Sequence, residues 1–139
     1  MTNLMLIEDK ISSIKKYLKI LERYKKLSRK EIEQNIDLRG AVERYLYLVT
    51  QATIDLAETI IAYKKFRKPT TYSENFDILK EETVISTDLT KNMIDMAGFR
   101  NIMTHDYDKL DYKKIYDVLK NKLTDIEKFV KSVSKYLSI

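Results

Sequence analysis

The sequence predicts an all-α, up-and-down helical bundle of about four main helices plus short ones, forming a single domain over residues 1–139. Three observations carry this expectation. Only two glycines and one proline occur in 139 residues, so tight turns are scarce and long helices are favoured. Apolar residues recur at steps of three and four, the period of a helix, along most of the chain. A composition of 44% hydrophobic and 34% charged residues is that of a globular domain with a real core, which excludes a disordered chain. No strand-like alternation, internal repeat or low-complexity tract is found.

Taken in order, Leu4, Ile7, Ile11, Ile14, Leu18 and Leu21 form one apolar stripe and predict a first helix over roughly residues 3 to 27. The stripe suits a partner helix as well as the chain's own core, so intramolecular packing and a dimer seam are both open. Ser28 followed by Glu31 has capping-box spacing and predicts a short second helix ending near Asp37. A third helix is expected from about Leu38 to Phe66. Its middle is apolar on more than one side, as a central helix must be. Pro69, Thr70 and Thr71 form a loop, and Ser73 is the expected cap of a short helix carrying Phe76, Ile78 and Leu79. Thr83 to Ile85 reads as a turn. Ser86 or Thr87 then caps a helix running to Phe99 or slightly beyond, with Gly98 a candidate loosening point. Asp111 caps a last helix with Ile115, Val118, Leu123, Ile126, Phe129, Val133 and Leu137 on its inner stripe.

Composition also limits function. No cysteine is present, so disulfides and thiolate metal sites are excluded, in keeping with a reducing cytoplasm. With a single histidine, a zinc site would need an uncommon carboxylate-rich ligand set; no metal and no cofactor are expected. No apolar run approaches the ~20 residues of a membrane span, and the first ten residues lack a signal-peptide pattern, so no membrane role is expected. The net charge of +5 comes from 26 basic and 21 acidic residues, interleaved as on solvated helix surfaces. Clusters such as Lys25-Lys26 with Arg29-Lys30, and Lys64-Lys65-Phe66-Arg67-Lys68, suit an anionic partner such as nucleic acid without requiring one.

The chemistry concentrates in Arg100-Asn-Ile-Met-Thr-His105-Asp-Tyr107. RNA is cut without metal when its 2′-hydroxyl attacks the adjacent phosphorus. That route needs a base, an acid and a cation for the phosphate oxygens. His105 can carry protons near neutral pH, and Arg100 presents a fixed charge in a fork that matches phosphate. Tyr107 could stack on a base or bond a phosphate. One histidine cannot comfortably be acid and base at once, so a symmetric dimer cleft is expected. Residues five apart on a helix lie about 140° apart around its axis. Arg100 and His105 therefore converge only if the helix ends or distorts between them, or if they come from different protomers. Asp106, Asp108 and Asp111 favour the break. Tyr45, Tyr47, Phe66 and Tyr72 read as core or rim aromatics rather than ligands. Asp55 and Glu58 are candidates to orient Arg100 or His105, against ordinary capping or surface roles.

The pattern Arg-x4-His-x-Tyr near the end of a helical bundle resembles the HEPN domain family, and specifically its HepT-like toxin branch. Supporting stretches are Gly40-Ala-Val-Glu-Arg-Tyr-Leu, Ile54-Asp-Leu-Ala-Glu, Tyr72-Ser-Glu-Asn-Phe-Asp-Ile-Leu with Val84-Ile-Ser, and Met96-Ala-Gly-Phe-Arg-Asn. The resemblance covers nearly the whole chain in order, and the triple motif is its most specific part. It implies a homodimeric, metal-independent endoribonuclease in the cytoplasm, with Arg100 and His105 as the catalytic pair. Asn101 and Tyr107 are then substrate-binding or modified positions. It further implies a toxin–antitoxin pair whose antitoxin is a minimal nucleotidyltransferase that adds AMP to Tyr107. The alternative is a non-catalytic HEPN-like module that grips a nucleotide or a protein with the same residues.

Overall fold

The computed structural model describes residues 3–105 and 110–139, with His105 described by its backbone. Among them are helices α1 (Asn3–Glu22), α2 (Arg29–Glu33), α3 (Ile36–Lys64), α4 (Tyr72–Glu81), α5 (Thr87–His105), α6 (Tyr112–Asp117) and α7 (Leu123–Leu137). The four long ones are α1, α3, α5 and α7, in an all-α bundle as expected, with α3 packed against α1, α2, α4 and α5.

Most of the α1 stripe faces the chain's own interior. Ile7, Ile11, Ile14 and Leu21 are buried on the side that packs along α3, so these four belong to the chain's own core. The helix stops at Glu22 rather than near residue 27, and a 3₁₀ turn follows at Tyr24–Lys26. Leu27 and Ser28 must both be extended for Ser28 to reach its cap geometry. The capping box is made: Ser28 Oγ accepts from Glu31 N at 3.1 Å, and Glu31 Oε1 accepts from Ser28 N at 3.2 Å. It opens a shorter helix than expected, because Asn35 caps α3. The Asn35 Oδ1 accepts from the amides of Asp37 and Leu38, so α3 starts at Ile36.

Eleven residues of α3 are buried, more than one face can hold, which makes it the central helix. Thr50 and Thr53 are among them, and their hydroxyls donate back to Leu46 O at 2.9 Å and Val49 O at 2.7 Å, so no polar group is left open by their burial. Lys65 ends α3 in the left-handed region (φ 58°). The loop after it is tied to α4 by Arg67, which bonds Glu81 and Glu74 at 2.6 and 3.0 Å. Thr71, not Ser73, caps α4, accepting from Glu74 N at 3.1 Å. Phe76 of α4 meets Phe129 of α7 edge to face, centroids 5.5 Å apart.

Ser86 caps α5, accepting from Leu89 N at 3.2 Å. Gly98 does not loosen the helix, which runs through it to His105 without a positive φ. The last expected helix is present in two parts, α6 and α7, joined by a π-helical turn at Val118–Lys122. Asp111 caps α6 through Lys113 N at 2.9 Å. Around the turn, the Tyr116 hydroxyl donates to Leu27 O and the Lys120 ammonium to Lys25 O, both at 2.7 Å. The extra residue of such a turn re-aims the side chains beyond it, and here α7 turns Phe129 into the core.

Candidate functional site

Arg100 is the unusual residue of the interior. It is 8% exposed, and a buried guanidinium needs its donors occupied or poised for a ligand. Its Nε donates to Gln51 Oε1 on α3 at 2.7 Å, and its Nη1 to the Oδ1 of its neighbour Asn101 at 3.3 Å. The Tyr72 ring from α4 lies 4.7 Å from the guanidinium carbon, and the Tyr47 ring from α3 lies 5.7 Å away. Two ring faces lower the cost of burying the cation. Nη2 makes no hydrogen bond among the described residues.

Gln51 is itself held. Its Nε2 donates to Asp55 Oδ1 at 2.9 Å, which fixes the amide so that the oxygen faces Arg100. Asp55 is in turn 3.6 Å from Lys10 of α1. A chain of polar contacts, Lys10–Asp55–Gln51–Arg100, thus joins α1, α3 and α5. Asp55, singled out from sequence, reaches Arg100 one residue removed. Glu58 stands on the same helix, and its carboxyl is held above its ordinary value by partial burial and by the nearby Asp55 charge.

Beside Arg100 lies a cavity of about 410 Å³ lined by Glu58, Pro69, Thr70, Thr71, Tyr72, Asn75 and Asn101. Two of its wall residues, Tyr72 and Asn101, are those touching Arg100. Among the described residues, no three His, Asp or Glu side chains gather closely enough to hold a metal ion, and no helix is long and apolar enough to cross a membrane.

The structure corrects one expectation about the motif. The break favoured between Arg100 and His105 is absent, since α5 carries both. Consecutive helical turns put their positions about 140° apart around one axis. The acidic residues downstream suggested an earlier exit, but the helical hydrogen bonding carries on to His105. Arg100 and Asn101 are brought together; Tyr107 lies outside the described residues. Gln51 was missed in sequence, although a Gln four residues before an Asp is a recognised helical pair. Tyr47 and Tyr72, read as rim aromatics, frame the guanidinium.

A sequence model of HepT-like ribonucleases matches residues 14–133. The chain belongs to the HepT-like ribonuclease family. It is 28% identical to the tRNA nuclease HepT of Aphanizomenon flos-aquae over 139 residues, covering 99% of this chain and 95% of that one. It is 29% identical to the mRNA nuclease HepT of Shewanella oneidensis over 126 residues, covering 90% and 93%. A solved structure of tri-AMPylated Shewanella oneidensis HEPN toxin in complex with its MNT antitoxin superposes with a TM-score of 0.84 at 27% identity, covering 93% of this chain and 96% of that one.

Proposed function

We propose that this chain is the toxin of a toxin–antitoxin pair, an endoribonuclease that cuts RNA without metal from a homodimeric cleft. The observation that carries the reading is Arg100: a buried guanidinium, held on Nε and Nη1 and framed by two tyrosines, with Nη2 making no hydrogen bond among the described residues. An arginine arranged in this way suits a phosphate that approaches one edge of the fork. Family membership supports the RNA substrate.

In this mechanism Arg100 binds a non-bridging phosphate oxygen and offsets charge that grows on it in the transition state. His105 takes the proton of the 2′-hydroxyl as the O2′–P bond forms. The P–O5′ bond breaks, and the leaving oxygen takes a proton from the second histidine of the dimer. The products are a 2′,3′-cyclic phosphate and a free 5′-hydroxyl. Since one continuous helix separates Arg100 and His105 around its axis, the reading pairs Arg100 of one protomer with His105 of the other.

The proposed regulation is supported by the solved Shewanella oneidensis HEPN toxin, which is tri-AMPylated in complex with an MNT antitoxin. Tyr107 is the proposed acceptor, two residues from His105, where added phosphate charge would occupy the cleft. Asn101, bonded to Arg100, is a proposed substrate contact.

The test is RNA cleavage by protein purified free of antitoxin and modification. Wild type is expected to cut in EDTA, and Arg100→Ala and His105→Ala to lose cleavage and toxicity while remaining folded dimers. A folded, unmodified wild type that cuts no RNA would refute the nuclease reading and leave a phosphate-gripping binding module. Co-expression with the neighbouring antitoxin should raise the intact mass by whole AMP units on Tyr107; an unchanged mass would refute that mode of neutralisation.

A further inference from the structure

The cavity beside Arg100 has features that phosphate binding does not use. Asn75, 1% exposed, lines it, with Nδ2 donating to Thr71 O at 3.4 Å and Tyr72 O at 3.1 Å at the start of α4. Its Oδ1 is buried and has no hydrogen-bond partner among the described residues. Buried acceptors are almost always satisfied, so an orphan in a cavity wall points to a donor that arrives with a ligand. Glu58, exposed at the edge of the cavity, adds a carboxyl with no hydrogen bond among the described residues. Asn101 has its Oδ1 taken by Arg100, which leaves its Nδ2 as a donor. Tyr72 lines the cavity, and its ring lies 4.7 Å from the Arg100 guanidinium carbon. The wall therefore offers two unfilled acceptor groups, one amide donor and an aromatic side.

We propose that this cavity is the subsite for the nucleobase adjoining the phosphate held by Arg100, and that it selects a base with an exocyclic amino group over uracil. The inference rests on the RNA-cleaving reading of the same site. Arg100 contacts two residues of the cavity wall, Tyr72 and Asn101, so a phosphate on its guanidinium brings its nucleoside towards the cavity. Sequence-selective RNA binding commonly splays single bases against aromatic side chains and reads their hydrogen-bonding edges. Adenine, cytosine and guanine each present an amino donor beside a ring nitrogen. Uracil presents one N–H flanked by two carbonyl oxygens, which face the acceptors Asn75 Oδ1 and Glu58 unfavourably. The loop that forms the cavity's rim, Pro69 to Thr71, is pinned by Glu74, whose carboxylate binds both Arg67 and Thr70. Such a rim is set before the base arrives, which limits the ordering cost of binding.

The experiment uses the full chain and short oligoribonucleotides with one cleavable position, carrying A, C, G or U on either side of it. Each is also made with a 2′-deoxy sugar at that position, so that equilibrium binding is read separately from cutting. Wild type should bind the amino-bearing bases on one side about tenfold or more tighter than uracil, the scale of one well-made pair, with the same order in kcat/KM. Glu58→Ala should bring that ratio towards one. Asn75→Leu should do the same where circular dichroism shows it folded; Glu58→Ala, at the open edge, keeps the test alive if it is not. Four bases bound within twofold of one another would overturn the proposal, as would a preference that survives Glu58→Ala. A preference in binding without cleavage of any oligonucleotide would uphold the subsite and sink the nuclease reading instead.

Discussion

Replacing Gln51 with alanine isolates what holds Arg100 in place. The bond it removes, Arg100 Nε to Gln51 Oε1 at 2.7 Å, is charge-assisted and sits in a buried setting, and such a bond contributes about 1.5–3 kcal/mol. If Arg100 acts on the transition state, that loss corresponds to a fall in kcat/KM of about 10- to 150-fold. The fall should appear mainly in kcat, because an arginine swung off its line still attracts RNA but no longer meets the oxygen where charge develops. Asp55→Asn tests the next link. Asparagine can satisfy a flipped Gln51, whose Nε2 would then face the Nε–H of Arg100, so activity should fall by a smaller factor. The double variant should match Gln51→Ala alone, since Asp55 acts through Gln51. Lys10→Ala should change activity less than twofold, because its pair with Asp55 is half exposed. The assay is steady-state cleavage of a single-site oligoribonucleotide. Near wild-type activity in Gln51→Ala, or fully additive losses in the double variant, would refute this account of Arg100.

Three further outcomes concern stability. Glu58→Gln should raise Tm at neutral pH. The folded carboxyl titrates above its ordinary value, so its ionisation opposes folding, and the difference should vanish below about pH 4, where both forms are neutral; a gain that persists in acid would exclude this cause. Phe129→Ala should cost about 3–5 kcal/mol in urea unfolding, because Phe129 is fully buried against Phe76; a loss below 1 kcal/mol would mean the α4–α7 contact is not part of the core. Thr83 is exposed and β-branched yet sits at φ 59°. Thr83→Gly should therefore stabilise by about 1 kcal/mol, a Tm gain of roughly 4 °C, and a lower Tm would contradict it.

The long helices were legible because their apolar spacing is a local property. The period of α1 and the all-round apolar character of α3 state which residues must leave water before any partner is known. Caps were legible where one residue competes alone, as at Ser28 and Asp111. They were misplaced where neighbours compete, as Thr71 does with Ser73, because the winner depends on how Glu74 is also claimed by Arg67 and Thr70. The π turn at Val118–Lys122 carries no local signature. It fits contacts of Tyr116 and Lys120 with carbonyls some 90 residues earlier in the chain.

The sequence by itself determined the fold class and the family, and it marked Arg100, His105 and Tyr107 by their spacing. Those are matters of period and residue type. Only the tertiary structure decided that α5 continues to His105, that four residues of the α1 stripe lie in the core, and that Gln51 and two tyrosines surround Arg100. Those partners lie 28 to 53 residues away in sequence, on α3 and α4. Only packing the helices together brings them to one guanidinium, and no spacing rule along a single helix reaches that far.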